Sequence, residues 1–198
     1  RYGWSDLGKS MVVHGMTDPG IVQGIFDHFD HKAQPGEIDE VLSDYVDIMR
    51  ANMEGFESSK LLPGVPDILD VPENQGECWQ GLLTGNVEAA AELKLAHHGL
   101  WTDFEFGAFG SDATKREDLV PVAWKRAKQL SGRDFLPEET WIIGDTVRDY
   151  RAAKHHGANV VLVRTNSRVG ATDLDECGAQ LVLDDLTAYE QFWSTIWE

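Results

Sequence analysis

The sequence predicts an α/β fold: a parallel sheet covered on both faces by helices, preceded by a small helical segment. Three observations carry this. From position 79 onward, short apolar runs alternate with amphipathic stretches that end in glycine, and strict β–α alternation is the pattern of a parallel sheet. Between positions 17 and 53 the apolar residues recur instead at helical spacing, with hardly any strand signal. A chain of 198 residues, 42% of them hydrophobic, is also long enough to bury a full core without metal or disulfide staples. The chain accordingly divides into a helical domain over 1–60 and an α/β domain over 61–198.

In the helical domain, Ile21, Val22, Ile25, Phe26 and Phe29 make one apolar face. Ile38, Val41, Leu42, Tyr45, Val46, Ile48 and Met49 make another, and the breaker Gln34-Pro35-Gly36 separates the two helices. Asp18 before Pro19 is the expected N-cap and first-turn pair of the earlier helix. In the α/β domain, Trp79-Gln80-Gly81-Leu82-Leu83 reads as a strand, followed by a helix over 87–98 closed by Gly99. A strand over 104–109 precedes a helix over 118–130 closed by Gly132. A strand over 140–143, a helix over 147–156 closed by Gly157, strands over 159–163 and 180–183, and a terminal helix over 186–197 complete the series. The seven tryptophans stand singly at apolar positions and read as core. Cys78 and Cys177 form no CxxC motif, so they are expected as buried free thiols in a reducing compartment.

Seventeen basic against 34 acidic side chains give a net charge of −17. That sign repels a polyanion and an anionic membrane surface, so neither nucleic acid nor membrane is an expected partner. No apolar run approaches the roughly 18 residues of a bilayer span, and no charged-then-apolar leader opens the chain, so a cytoplasmic protein is expected. GxGxxG, GxxxxGK[ST] and GxSxG are all missing, which disfavours dinucleotide, P-loop and serine-hydrolase chemistry. His28 and His31, His97-His98 and His155-His156 lack the spacing of a histidine metal site.

Ligands of open parallel sheets bind beyond the carboxyl ends of the strands, and two loops there carry chemistry. Thr84-Gly85-Asn86 ends a strand just before a helix, where a hydroxyl and unpaired N–H groups suit a phosphate or carboxylate. The same residues also read as a plain strand end and helix cap. In Gly144-Asp145-Thr146-Val147-Arg148-Asp149, two carboxylates four apart straddle a strand tip and the first helical turn. They suit Mg²⁺, a hard cation; alternatively Asp145 or Thr146 caps the helix and Asp149 favours its dipole in the first turn. Lys115-Arg116 lies between the two loops and supplies adjacent cations. Phosphoryl chemistry needs all three parts.

Together these motifs resemble the haloacid dehalogenase (HAD) superfamily of hydrolases, in its phosphoglycolate-phosphatase-like branch with a helical cap. Leu83-Thr84-Gly85-Asn86 is similar to the family's second motif and Gly144-Asp145-Thr146-Val147-Arg148-Asp149 to the GDxxxD form of its fourth. Gly15-Met16-Thr17-Asp18 is similar to a cap segment and Leu62-Pro63-Gly64-Val65 to the re-entry into the core. The resemblance implies a Rossmann-like core and a Mg²⁺-dependent phosphatase acting on a small phosphorylated metabolite, a phosphoglycolate-like phosphomonoester, through an aspartyl-phosphate. It implies that Thr84, with the Gly85 and Asn86 backbone, binds phosphoryl oxygens and that Asp145 ligates Mg²⁺ while Asp149 orders its surroundings. Arg116, favoured over Lys115, would steady the phosphate, and Thr17 and Asp18 would face the leaving group from the cap.

Two departures stand out. The family usually has Lys-Pro at its third motif, where this chain has Lys115-Arg116. The first motif, DxDGT, which carries the nucleophilic aspartate, is absent from the 198 residues and is expected upstream. Without that strand the sheet would have a gap lined by unpaired backbone groups. The alternative reading is a HAD-like binding or assembly protein that has no nucleophile.

Overall fold

The computed structural model describes residues 1–4, 13, 15–53, 59–71, 78–165 and 174–197. The helical domain holds α1 (Asp18–His28) and α2 (Glu37–Ala51). Their apolar faces meet as Val22, Phe26, Leu42, Val46 and Met49, and this cluster continues into the α/β domain through Val87 and Ala90. Tyr2 and Trp4 pack on the same cluster, with Trp4 stacked on Phe29. The N-cap of α1 is Thr17 rather than Asp18, because Thr17 is extended and its hydroxyl accepts the Gly20 N–H at 3.2 Å. Asp18 is thereby the first helical residue, and its carboxylate serves a contact described below.

The chain re-enters the second domain through α3 (Val65–Leu69), a five-residue helix too short to show a period in the sequence. Gly64 precedes it at φ 82, and a Cβ there would lie 2.0 Å from the Leu186 carbonyl oxygen, so only glycine fits this crossing. Next come β1 (Gly81–Leu83), α4 (Glu88–His97), β2 (Phe106–Ala108) and α5 (Leu119–Ser131). They are followed by β3 (Trp141–Gly144), α6 (Val147–His155), β4 (Asn159–Val163), β5 (Leu181–Leu183) and α7 (Tyr189–Trp197). Each expected helix and strand is present, with shifts of a few residues at the ends.

All strand pairs are parallel. β4 lies between β3 and β5, and its Val160, Val161 and Leu162 are fully buried, as a parallel strand covered on both faces requires. One face, with Ile142, Val160 and Leu162, packs on Val120, Ala152 and Ala153 of α5 and α6. The other, with Val161, Val163 and Leu183, packs on Phe192 and Trp193 of α7. Where a single sheet was expected, the described residues form two, β1–β2 and β3–β4–β5. Leu83 of β1 packs against the cluster that contains Ile142 of β3, so the two sheets stand side by side. Among the described residues, β1 and β3 each pair on one side only. Ile143 of β3 is 43% exposed in a strand whose neighbour β4 is buried.

Cys78 and Cys177 are half-buried rather than buried. Burial, and then the Glu105 charge, push the Cys78 thiol above its ordinary pKa. Among the described residues, no helix is long and apolar enough to cross a membrane.

Candidate active site

The residues singled out in the sequence meet at the carboxyl ends of β1 and β3. Thr84 follows β1 and continues its ladder, donating its N–H to the Ala108 carbonyl at 3.0 Å. Its hydroxyl oxygen accepts the Asn86 N–H at 3.1 Å, folding the loop tightly ahead of α4. Gly85 is buried beneath the cap segment, and a Cβ on it would lie 2.3 Å from the Met16 carbonyl oxygen. Side-chain atoms are thus excluded from the one place where the cap backbone touches the loop.

The cap reaches this loop through Asp18. Its N–H donates to the Gly85 carbonyl at 2.7 Å, and its carboxylate accepts the Val87 N–H at 2.9 Å. The Asn86 side-chain amide adds bonds to both carboxylate oxygens at 3.2 and 3.3 Å. Donors at the start of α4 that suit an anion therefore hold a carboxylate of this chain. Thr17 is buried and donates its hydroxyl to the Thr114 carbonyl, a second cap-to-core bond.

At the end of β3 the chain turns into α6 through a capping box. The Thr146 hydroxyl caps the helix, and Asp149 Oδ2 accepts both the Thr146 N–H at 3.0 Å and its hydroxyl at 2.7 Å. This folds the Asp149 side chain back over Gly144, where a Cβ would lie 2.2 Å from the Asp149 carboxyl carbon. The glycine of the GD pair is thus required by the aspartate five residues on. Asp149 is 1% exposed, and its other oxygen takes the Arg116 guanidinium at 2.7 Å from Nε and 2.6 Å from a terminal nitrogen. Arg116 also donates to the Leu83 carbonyl at 3.2 Å, so one side chain ties the end of β1 to the start of α6. Lys115 is exposed, which leaves Arg116 as the cation brought to the site.

Asp145 occupies the tip of β3, half-buried between Gly144 and Thr146. Whether these residues suit Mg²⁺ turns on their donors, since the ion takes six oxygens in near-octahedral order. Both oxygens of Asp149 are engaged by Arg116 and Thr146. No group of three His, Cys, Asp or Glu residues converges among the described residues. Asp149 is therefore committed within the fold, and a Mg²⁺ site at the tip of β3 would need Asp145 together with oxygens beyond those of the described residues.

The segment just before α1 bridges the two strand ends. A Cβ on Gly15, at φ 70, would lie 2.8 Å from Thr146 Oγ1, and the next residue, Met16, touches Gly85. Positions 15–17 therefore run from the β3 loop to the β1 loop, across the break between the sheets. A groove of about 730 Å³ opens on the cap side, between α2 and residues 111–114, lined in part by Leu42, Arg50, Val87, Asp112 and Thr114. It adjoins the Thr17–Thr114 bond rather than Asp145 or Arg116. Burial alone would raise the Asp112 carboxyl, but hydrogen bonds from Arg126 and the Phe109 N–H hold it below the ordinary aspartate value.

Lys94 of α4 was missed in the sequence. Its ammonium donates to Asn86 Oδ1 at 3.0 Å, and burial lowers its pKa although the Asp18 charge opposes the shift. Helical side chains lean toward the N-terminus, so a lysine in a helix otherwise rich in alanine, two turns past Asn86, carried a faint signal.

The fold is an α/β core with a helical segment packed on it. Residues 118–189 match the family model described as HAD-hydrolase-like, as the motif resemblance implied. Among solved structures, a hydrolase from Pseudomonas syringae aligns with TM-score 0.69 and 17% identity over 94% of this chain and 81% of its own. A β-phosphoglucomutase from Clostridium difficile aligns with TM-score 0.69 and 18% identity over 93% of this chain and 78% of its own. CbbY from Rhodobacter sphaeroides, solved in complex with phosphate, aligns with TM-score 0.62 and 17% identity over 86% of this chain and 74% of its own. No curated protein matches significantly.

Proposed function

We propose that this chain is the cap and most of the core of a phosphomonoester hydrolase acting on a small phosphorylated metabolite of the phosphoglycolate kind. The observation that carries this reading is the Arg116 bridge. It joins the Leu83 carbonyl at the end of β1 to the Asp149 carboxylate after β3, which supports reading the three loops as parts of one site. In this reading an aspartate on an extended segment between β1 and β3 attacks phosphorus. The ester P–O bond breaks, an aspartyl-phosphate forms, the leaving oxygen takes a proton, and water then hydrolyses the acyl phosphate. In this reading the Thr84 hydroxyl, whose oxygen accepts the Asn86 N–H, uses its own proton as a donor to a phosphoryl oxygen. Gly85 lets the cap backbone close over the loop, and Thr17 and Asp18 bring the cap to the leaving group. Arg116 holds the strand ends in register, and Lys115 faces solvent. Mg²⁺ belongs to this reading with Asp145 as the ligand at the strand tip. Its further oxygens would come from the segment that carries the nucleophile. A cytoplasmic location accompanies the reading, without nucleic-acid or membrane partners.

A second reading, a binding or assembly protein on the same core, is favoured by one observation: Asp18 already holds the Val87 and Asn86 donors. Steady-state hydrolysis of an aryl phosphate by the protein carrying its nucleophile segment separates the two. Thr84→Val should lose roughly 10²–10³ in rate, as loss of an oxyanion donor does, while melting near wild type. Equal kinetics for the two proteins would return Thr84 to the role of a strand end.

A further inference from the structure

We infer that Lys94, Asn86 and Asp18 form a latch that docks the cap on the core, with Lys94 and Asp18 as positioning residues for the Thr84 loop. The inference rests on the hydrolase reading for its catalytic consequence, and on geometry alone for the latch itself. Lys94 Nζ holds Asn86 Oδ1 at 3.0 Å, which turns the amide nitrogen of Asn86 toward Asp18 at 3.2 and 3.3 Å. Asp18 closes the chain on the core backbone at Val87 N. Its own N–H returns to the Gly85 carbonyl, so one cap residue grips both sides of the loop that carries Thr84. Among the described residues, Lys94 from α4 and Tyr45 from α2 both sense the Asp18 charge, and the Tyr45 hydroxyl pKa is raised by burial and then by that charge.

The lysine is held there against its own solvation. Burial pulls its pKa down, and the Asp18 charge opposes the shift. A residue that contributed only to stability would not be placed this way, and methionine of similar length would pack as well or better. What Lys94 supplies is a donor to Asn86 Oδ1, reinforcing the amide orientation that the Asp18 carboxylate, an acceptor only, already favours.

Site-resolved amide exchange by NMR tests this on the 198-residue chain. In Asp18→Asn and Asp18→Ala, the Val87 amide should exchange at least tenfold faster than in wild type, while Val160 and Val161 in the β3–β4–β5 sheet keep their protection. Lys94→Met should speed Val87 exchange several-fold with an unchanged or higher urea midpoint, and Lys94→Arg should restore it. In the active protein, Lys94→Met should lower kcat with little change in KM. Unchanged Val87 exchange in Asp18→Ala, or loss of protection spread evenly over the core, would overturn the latch, as would Lys94→Arg behaving like Lys94→Met. Exchange needs no turnover, so a wild-type protein devoid of phosphatase activity would sink the hydrolase reading and leave this test standing.

Discussion

Replacing Arg116 by methionine should destabilise the protein substantially, and the magnitude follows from its contacts. Asp149 is 1% exposed at its side chain and Arg116 is 16% exposed, so the variant strands a buried carboxylate. Breaking one side of a buried pair costs about 3–5 kcal/mol. Two terms set where in that range the variant falls. Asp149 keeps both donors of Thr146, which favours the low end, whereas the Leu83 carbonyl loses its partner, worth about 1 kcal/mol. A net loss of about 3 kcal/mol is expected, and in a domain of this size that lowers Tm by about 6–12 °C. Thermal unfolding followed by far-UV circular dichroism reads this directly. Asp149→Asn should cost about 2 kcal/mol alone, and the double variant should fall short of the sum by about 2 kcal/mol, because the two residues share one interaction. An Arg116→Met protein that melts within about 1 °C of wild type would refute the bridge and, with it, the assembly of the three motifs.

Two further outcomes follow. Gly144→Ala places a methyl where the Asp149 carboxyl carbon would be 2.2 Å away, so it should cost about 2–3 kcal/mol despite an ordinary backbone angle; denaturant titration showing wild-type stability would contradict that packing. The folded pKa of Asp112 lies below its ordinary 3.8, so its contribution is present above that value and is lost as pH falls through the folded one. Asp112→Asn should therefore lower stability at pH 7 by about 1 kcal/mol, discounted for the partial exposure of Arg126, with the gap between the two proteins closing in acid. Urea midpoints at pH 7 and pH 2.5 that differ from wild type by the same amount would show that the charge is not the cause.

Much of this was legible because it is periodic or local. The β–α alternation after position 79 and the apolar faces of α1 and α2 are spacing signals, and the structure places elements where spacing put them. The capping box of Thr146 and Asp149 spans four residues, and the helix-capping alternative weighed for that loop anticipates it. What spacing could not show is which partner each carboxylate takes. Asp18 looked like a local cap, but Thr17 reaches the Gly20 N–H, and this leaves the Asp18 carboxylate to cross to Asn86 and Val87, nearly 70 positions away. Asp149 resembled a metal ligand until the Arg116 guanidinium, 33 positions away, was seen on one of its oxygens. Lys94 escaped because its importance lies in the amide it turns, a contact with no sequence period. The short α3 held by Gly64 escaped for the same kind of reason, since its crossing with Leu186 is long-range.

Assembly of the three loops at the ends of β1 and β3 into a phosphatase site calls for an attacking aspartate on a further strand beside them. Its most direct test is phosphate release from an aryl phosphate with Mg²⁺, comparing the 198-residue chain with the same chain carrying an N-terminal segment that contains a DxDGT strand. No turnover is expected from the first and Mg²⁺-dependent turnover from the second. Turnover by the 198-residue chain alone, surviving rigorous purification, would contradict it, and so would a folded, extended protein that remains inactive.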